Sequence, residues 1–404
     1  MDRNMRLLWL SNWCDNTGYG NQTRLFVPML QSVGLSMAVA AFWGVEAQPA
    51  RTNDGIILLP RVSHPYMNDV IDSHYRYHRA DAVITLIDPF VLDERVYADL
   101  HWIAWTPIDG EPILPATAQV LRSARRVWAM SRFGERLLHQ AGFSNVDYVP
   151  HGVDAQTFHP IDRDEARARL KQEVGLDLAK RFVVMINAAN KGTPSRKGFY
   201  EAFAAFKVFS DAHPEAILYV HSEQIGLYGG EQLPTLAQMV GLAPEKILYA
   251  PQYHYVCGML PPRYLNDCYN ASDVLLHPAH GEGFGIPLVE AQMAGLPVIT
   301  TDFSAMSELC FAGWKVQGLP FMPASGTLHR LPLIPPLIEA LEASYQQRGD
   351  LSLRQQAQNG AQDYAADVVF ERHLLPAIHK IADEIDAKRS RREQRTALHE
   401  VTRQ

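Results

Sequence analysis

At 404 residues, with 47% hydrophobic and 20% charged residues, the chain exceeds what one hydrophobic core usually supports; it reads as two folded halves, not a disordered or fibrous protein. A formal charge of -7 excludes a protein that coats nucleic acid, which needs a concentrated excess of Lys and Arg. Residues 1–155 hold 13 Arg and no Lys against 16 Asp or Glu, and the four Cys are scattered without a CxxC pair, so neither anionic lipid, a metal site nor a disulfide framework is expected.

In chain order, the first half alternates short apolar runs with amphipathic stretches. Strands are expected at Met5 to Leu10, Ser36 to Phe42, Gly55 to Leu59, Ala82 to Ile87, Trp102 to Trp105, Arg126 to Met130 and Val146 to Val149. Helical patterns at Gln22 to Ser32 and Phe133 to Ala141 lie between them. That alternation predicts a parallel sheet with crossover helices. The start of the chain has only a short apolar stretch, Leu7 to Leu10, and the longest apolar run, near Leu35 to Val45, is too short to span a bilayer. No secretory leader or transmembrane segment is expected, and the location expected is cytoplasmic.

The pattern restarts after Pro150-His151-Gly152-Val153-Asp154. Strands at Phe182 to Asn187, Ala216 to His221, Lys246 to Ala250, Asp273 to His277 and Pro297 to Thr300 alternate with helices at Phe199 to Ala212, Leu233 to Val240, Pro262 to Ala271 and Gly285 to Ala294. Two tandem doubly wound units place a cleft between the carboxyl ends of two sheets, where open α/β sheets bind ligands. From Pro332 the pattern is helical, ending in Phe370 to Ile385 and a charged tail expected to fray.

The segment His277 to Asp302 carries the clearest chemistry. A buried strand ends at His277, glycines 281, 283 and 285 make a turn, and a helix opens with Pro287 in its first turn. Amides at such a helix start receive anions, and glycines let the chain approach a pyrophosphate. Glu282 falls in the turn and Glu290 in the second helical turn, where a carboxylate can hold sugar hydroxyls. On spacing alone, a solvated loop acid and a helix-surface acid fit equally well.

Glu282 and Glu290, separated by seven residues within GEGFGIPLVEAQMAGLPVI, resemble the E-x7-E signature of the family-4 retaining glycosyltransferases of GT-B fold. Asn270 to Val274 upstream and Thr301-Asp302 with Glu308-Leu309 downstream are similar to the family's flanking elements. Gly18-Tyr19-Gly20, Ser131-Arg132-Phe133, the 150–154 junction with Phe158 and Pro160, and Ser195-Arg196-Lys197-Gly198 follow in family order. The resemblance spans about residues 5–380 and is strongest after Pro150. It implies two tandem Rossmann-like domains around a cleft, with an acceptor-side domain at 1–155 and a nucleotide-sugar domain at 156–365. A helix at 366–386 is expected to return to the first domain, ahead of the tail at 387–404.

The same resemblance implies transfer of a hexose, with retention, from a nucleoside diphosphate sugar (uridine or guanosine) to an acceptor hydroxyl, with no metal and no other cofactor. Glu282 is the expected sugar-facing contact, Glu290 the ribose contact, and Gly283, Phe284 and Gly285 the phosphate cradle. Arg196 and Lys197 are the cations expected on the leaving diphosphate, where fixed charge lowers the barrier. They are adjacent here whereas many members space them, which makes Lys191 an alternative for one role. Gly18 and Gly20 form either a loop over the donor phosphates or a simple turn. Where many members place a histidine, this chain has Asp109, either a contact or base for donor or acceptor, or the start of an Asp-Gly turn. His221, Tyr253 and His254 either border the nucleotide or pack. Charge and the lack of an evident anchor favour a protein or glycan acceptor over a lipid. The rival reading is a GT-B protein that binds nucleotide sugars without turnover.

Overall fold

The computed structural model describes residues 5–401, with side chains through Arg391. Fourteen of its strands form two sheets, each flanked by helices. The first sheet contains β1 (Arg6–Ser11), β2 (Ser36–Ala41), β3 (Ala50–Arg51), β4 (Ile57–Leu59), β5 (Ala82–Leu86), β6 (Trp102–Thr106), β7 (Arg126–Ala129) and β8 (Val146–Tyr148), in the order β3-β4-β2-β1-β5-β6-β7-β8. All neighbours are parallel except β3 and β4. The second contains β9 (Phe182–Asn187), β10 (Ala216–His221), β11 (Ile247–Tyr249), β12 (Val274–His277), β13 (Val298–Thr301) and β14 (Gly313–Val316), all parallel, in the order β11-β10-β9-β12-β13-β14. A hairpin, β15 (Gly318–Phe321) with β16 (His329–Pro332), stands outside both sheets.

The inner strands are apolar throughout because helices cover both faces of each sheet. In the first sheet, Trp9, Trp105 and Trp128 are fully buried, with Trp105 edge-on to Trp9 at 5.8 Å and to Trp128 at 6.0 Å. Their polar ends are partly matched: Trp9 Nε1 donates to Thr23 and Trp105 Nε1 to the Val149 carbonyl. In the second, the helix Phe199–Ala212 lays Phe199, Phe203, Phe206 and Phe209 on β9 and β10. This is the stripe that a 3.6-residue period produces, worth about 2 kcal/mol per buried ring.

The expected elements are present with shifted ends, and three differences matter. The first long helix runs Gly18–Ser32 and not Gln22 to Ser32, because Thr17 caps it by accepting the Gly20 N–H. Gly18 and Gly20 are therefore helical and do not form a loop. Near the end, the helix Ala366–Val369 passes through a wide turn, Phe370–Leu374, into a helix Leu375–Val401. The backbone of the tail expected to fray from 387 is thus helical to Val401, and residues 402–404 lie outside the described residues.

Two crossings join the halves. The segment after β8 is pinned by Gln22, whose side chain donates to the Gly152 carbonyl at 2.8 Å and accepts its N–H at 2.9 Å. Beside it, Val153 pairs with the backbone at Tyr364 and Ala366. Gly152 has no space for a side chain: a Cβ would lie 2.8 Å from Phe26 and 3.0 Å from the Ala366 Cα. The last helix then docks on the first sheet through Lys380, which donates to Asp147 at 2.6 Å, and Glu384, which accepts from Arg126 at 2.7 Å; Arg126 also donates to Asp147.

Burial of Asp147 works to raise its pKa, but the bonds from Arg126 and Lys380 outweigh it and depress the carboxyl. A depressed folded value contributes stability above the ordinary carboxylate range, and that contribution is lost as pH falls through the folded value. Asp147→Asn is expected to cost about 2 to 3 kcal/mol at neutral pH, with the gap to the parent closing in acid. Urea unfolding at several pH values measures this, and equal stability at pH about 7 would contradict it.

Candidate active site

The carboxyl ends of β9, β10, β12 and β13 face the same ends of β1, β5 and β6, as expected at the crevice of open α/β sheets. The turn after β9 reaches this crevice because it is pressed onto the turn after β12. His280 N–H donates to the Arg196 carbonyl at 2.8 Å. Gly198, with φ 70, lies so close to Pro278 that a Cβ would sit 2.1 Å from its carbonyl oxygen. Arg196 and Lys197 are carried with that turn onto Glu282.

Glu282 is the centre of the arrangement. Its carboxylate is 3.0 Å from Arg196, is bonded by the Lys197 ammonium, and lies 3.4 Å from His277. Arg196 also donates to the Gly281 carbonyl. Burial by itself would raise the Glu282 pKa; Arg196 and Lys197 overcome it and hold the carboxyl well below its usual range. Its backbone N–H is taken by the Ser304 hydroxyl at 3.0 Å. Ser304 has φ 52, a left-handed backbone that is costly for serine and that clusters at ligand-binding turns.

The opposite wall comes from the first sheet. Asp109, after β6, lies 4.0 Å from Arg196 and 3.9 Å from His329. Asp88, after β5, accepts from the Tyr19 hydroxyl at 3.1 Å. Burial and then the neighbouring Asp109 carboxylate raise the Asp88 pKa, and burial followed by Asp88 raises that of Tyr19. Asp88, Ser304 and His329 do not stand out as site residues in the sequence, which marks Tyr19 and His277 only as a motif position and a strand end. The signal for Asp88 was its place just past the end of an apolar strand.

The two helix N-termini meet here. Gly18 opens the helix Gly18–Ser32, and a Cβ on it would lie 3.2 Å from Ile286, the first residue of the helix Ile286–Met293. Neither helix has an acid in its first turn, so two positive dipole ends converge beside Arg196 and Lys197. Gly285, at φ 104, makes the turn that aims the second helix.

Several expected contacts are placed differently. Gly281 and Gly283 face the other half of the chain: a Cβ on Gly281 would be 2.2 Å from the Asp109 carbonyl oxygen, and one on Gly283 would be 2.4 Å from Pro107. Their smallness lets the loop after β6 close on the 281–285 turn. Phe284 turns its ring into the core against His151 at 5.2 Å and Tyr364 at 5.8 Å, leaving only its backbone for a ligand. His151 is buried with it, and desolvation lowers its pKa to about 3. Glu290 lies inside the fold and not at a helix edge, accepting the Tyr269 hydroxyl at 2.8 Å, while Tyr269 in turn accepts from Asn187. Lys191 sits over the Tyr228 ring at 5.8 Å, away from Glu282. His221 is packed between Tyr219 and Tyr255, and Tyr253 is exposed.

Residues 167–313 match the family described as "Glycosyl transferases group 1". A relative, "D-inositol 3-phosphate glycosyltransferase" of Rhodococcus erythropolis, is 27% identical over 270 residues, 65% of this chain and 56% of the relative. The chain thus spans about half the length of the curated relatives it matches. Among solved structures, sucrose-phosphate synthase from Thermosynechococcus elongatus superposes with TM-score 0.71 at 14% identity, covering 95% of this chain and 100% of that one. The Anabaena protein HepE in complex with UDP-glucose superposes with TM-score 0.63 at 15% identity, with the same coverage. The fold of this chain is GT-B.

Burial raises the Glu290 carboxyl from 4.5 to about 7, against the Tyr269 hydroxyl that donates to it. A raised folded pKa means stability that is present at low pH and lost as pH rises from the unfolded value through the folded one. Glu290→Gln removes that loss. The variant is expected to gain on the parent by up to about 3 kcal/mol between pH 5 and pH 8, read by thermal unfolding across pH. A difference that stays constant with pH would show that Glu290 does not titrate there.

Proposed function

We propose that the chain, whose residues 167–313 match the group 1 glycosyl transferases, transfers a hexose from a uridine or guanosine diphosphate sugar to an acceptor hydroxyl, with retention of configuration. The observation that carries this reading is the Arg196–Lys197 pair fixed on Glu282 beside two helix N-termini. Cations and dipoles converging on one point are what a leaving diphosphate requires. HepE, whose title names a UDP-glucose complex, shares the fold.

In the proposed reaction, Arg196, Lys197 and the amides opening the helices Gly18–Ser32 and Ile286–Met293 take the diphosphate. Glu282, released from part of its ion pairing, accepts hydroxyl donors of the hexose, and Glu290 accepts those of the ribose once the helix start adjusts. The acceptor oxygen bonds to the anomeric carbon on the face from which the phosphate departs. The bond from that carbon to the phosphate oxygen breaks, and the acceptor proton passes to the departing phosphate. Asp88 and Asp109, on the wall opposite the cations, orient hydroxyls. Contact between the loop after β6 and Gly281 to Gly283 excludes water that would otherwise hydrolyse the donor. The excess of 16 Asp or Glu over 13 Arg in residues 1–155 favours a protein or glycan acceptor over an anionic lipid; the proposed setting is cytoplasmic and the proposed reaction uses no metal.

Thermal shift against UDP, GDP and their glucose, galactose and mannose conjugates identifies the donor through ligand-dependent stabilisation. With that donor, Arg196→Ala and Glu282→Ala are each expected to lower turnover by about 100-fold or more while the circular dichroism spectrum is retained. Full activity in both variants would refute the site, and binding without transfer across protein, glycan and small-molecule acceptors would refute the activity.

A further inference from the structure

At the other end of the second sheet, the structure has a cavity of about 310 Å³, within the size range of small-ligand pockets. It opens beside Phe182, the first residue of β9, and Asp273, just ahead of β12. The strands run parallel and end at the crevice, so the length of β9 separates the two sites by about 20 Å. Nothing proposed for the crevice uses this cavity.

Its charge is the opposite of the chain's. In a molecule of net charge -7, Arg163, Lys180, Arg181 and Arg348 line one cavity. The two acids in its wall are already engaged. Asp273 accepts the Val183 N–H at 2.8 Å, Arg163 at 2.5 Å and Arg167 at 3.4 Å. Glu215 accepts the Tyr345 hydroxyl. Among the described residues, no ion pair joins Lys180, Arg181, Arg348 or Arg354 to a carboxylate.

Arg354 stands behind the cavity, in a cleft that shares Asp273 and Arg348 with it. Burial and then repulsion from Arg163 lower its pKa to about 10, with Arg167 adding to the repulsion and Asp273 opposing it. Like charges are thus crowded at a partly desolvated place, with Asp273 shared among Arg163, Arg167 and Arg354, a cost that an incoming anion relieves. One of the cations, Arg348, is also pre-positioned. Arg348 is held with its guanidinium 4.1 Å over the Tyr345 ring, and Tyr345 packs edge-on to Phe182 at 5.0 Å. Planar guanidinium groups fixed in this way bond phosphate oxygens in pairs.

We propose that this cavity binds a phosphate-bearing small molecule, at a site separate from the crevice. Inorganic pyrophosphate is the probe; because the crevice is itself proposed to take a diphosphate, the probe is titrated calorimetrically with UDP in excess, into the full chain and into two variants. Lys180→Glu with Arg181→Glu changes two exposed cations, and its unfolding temperature without ligand serves as the control for folding. Arg196→Ala removes a crevice cation. The expected result is pyrophosphate binding weakened by roughly tenfold or more in the Lys180/Arg181 variant and retained in the Arg196 variant, with UDP binding affected in the reverse order. Pyrophosphate binding that survives in the Lys180/Arg181 variant, or no pyrophosphate binding to the parent chain, would overturn the proposal. Failure of the UDP arm alone would count against the crevice assignment and leave this one standing.

Discussion

Glu282 is a buried carboxylate that stays ionised because two cations from a different βα turn are held against it. The surrounding architecture serves that contact. Gly198 permits the turn after β9 to press on Pro278, a backbone bond joins His280 to Arg196, and Ser304 adopts a left-handed conformation while binding the Glu282 amide. Removing charges from water is costly unless each finds its partner, so a cluster of this kind tolerates little displacement. It also orients two cations, Arg196 and Lys197, toward one point of the crevice.

Around this cluster the two halves of the chain touch through small residues. Gly281 and Gly283 lie under the loop after β6, and Glu111 pairs its backbone with Leu328 beside the Arg330 ion pair. Phe133 meets Phe303 edge-on at 5.3 Å, and Glu308 caps the helix that begins at Arg132. These contacts combine backbone and ionic pairs with a small apolar cluster of Ile108, Phe133, Leu137 and Phe303. The rear junction differs. There Gln22, Gly152, Val153 and the Asp147 ion pairs hold the crossings tightly.

The carboxylates divide by wall. Glu282 holds both cations and Asp109 reaches Arg196 at 4.0 Å, whereas burial, followed by the neighbouring Asp109 carboxylate, raises the Asp88 pKa.

Much was legible from the sequence because its signals are local. Apolar runs of strand length between helical periods set out two parallel sheets, and glycines followed by a proline marked the helix start at Ile286. Arg196, Lys197 and Glu282 were also visible, as charged residues in glycine-bounded turns just past buried strands. Their pairing was not, since the turns are more than 80 residues apart and meet only because β9 and β12 are neighbours in the sheet. Spacing placed Glu290 at a helix edge, yet it is buried because Tyr269, from another helix, closes over it. Gly281 and Gly283 have the look of a phosphate turn, but what they face is the loop after β6, from the other half of the chain. Sequence by itself determined which elements form and where charged turns interrupt them, because periodicity and turn chemistry act over a few residues. Tertiary structure alone decided which charges meet, and therefore which are ionised, because burial and Coulomb attraction depend on neighbours that are distant along the chain.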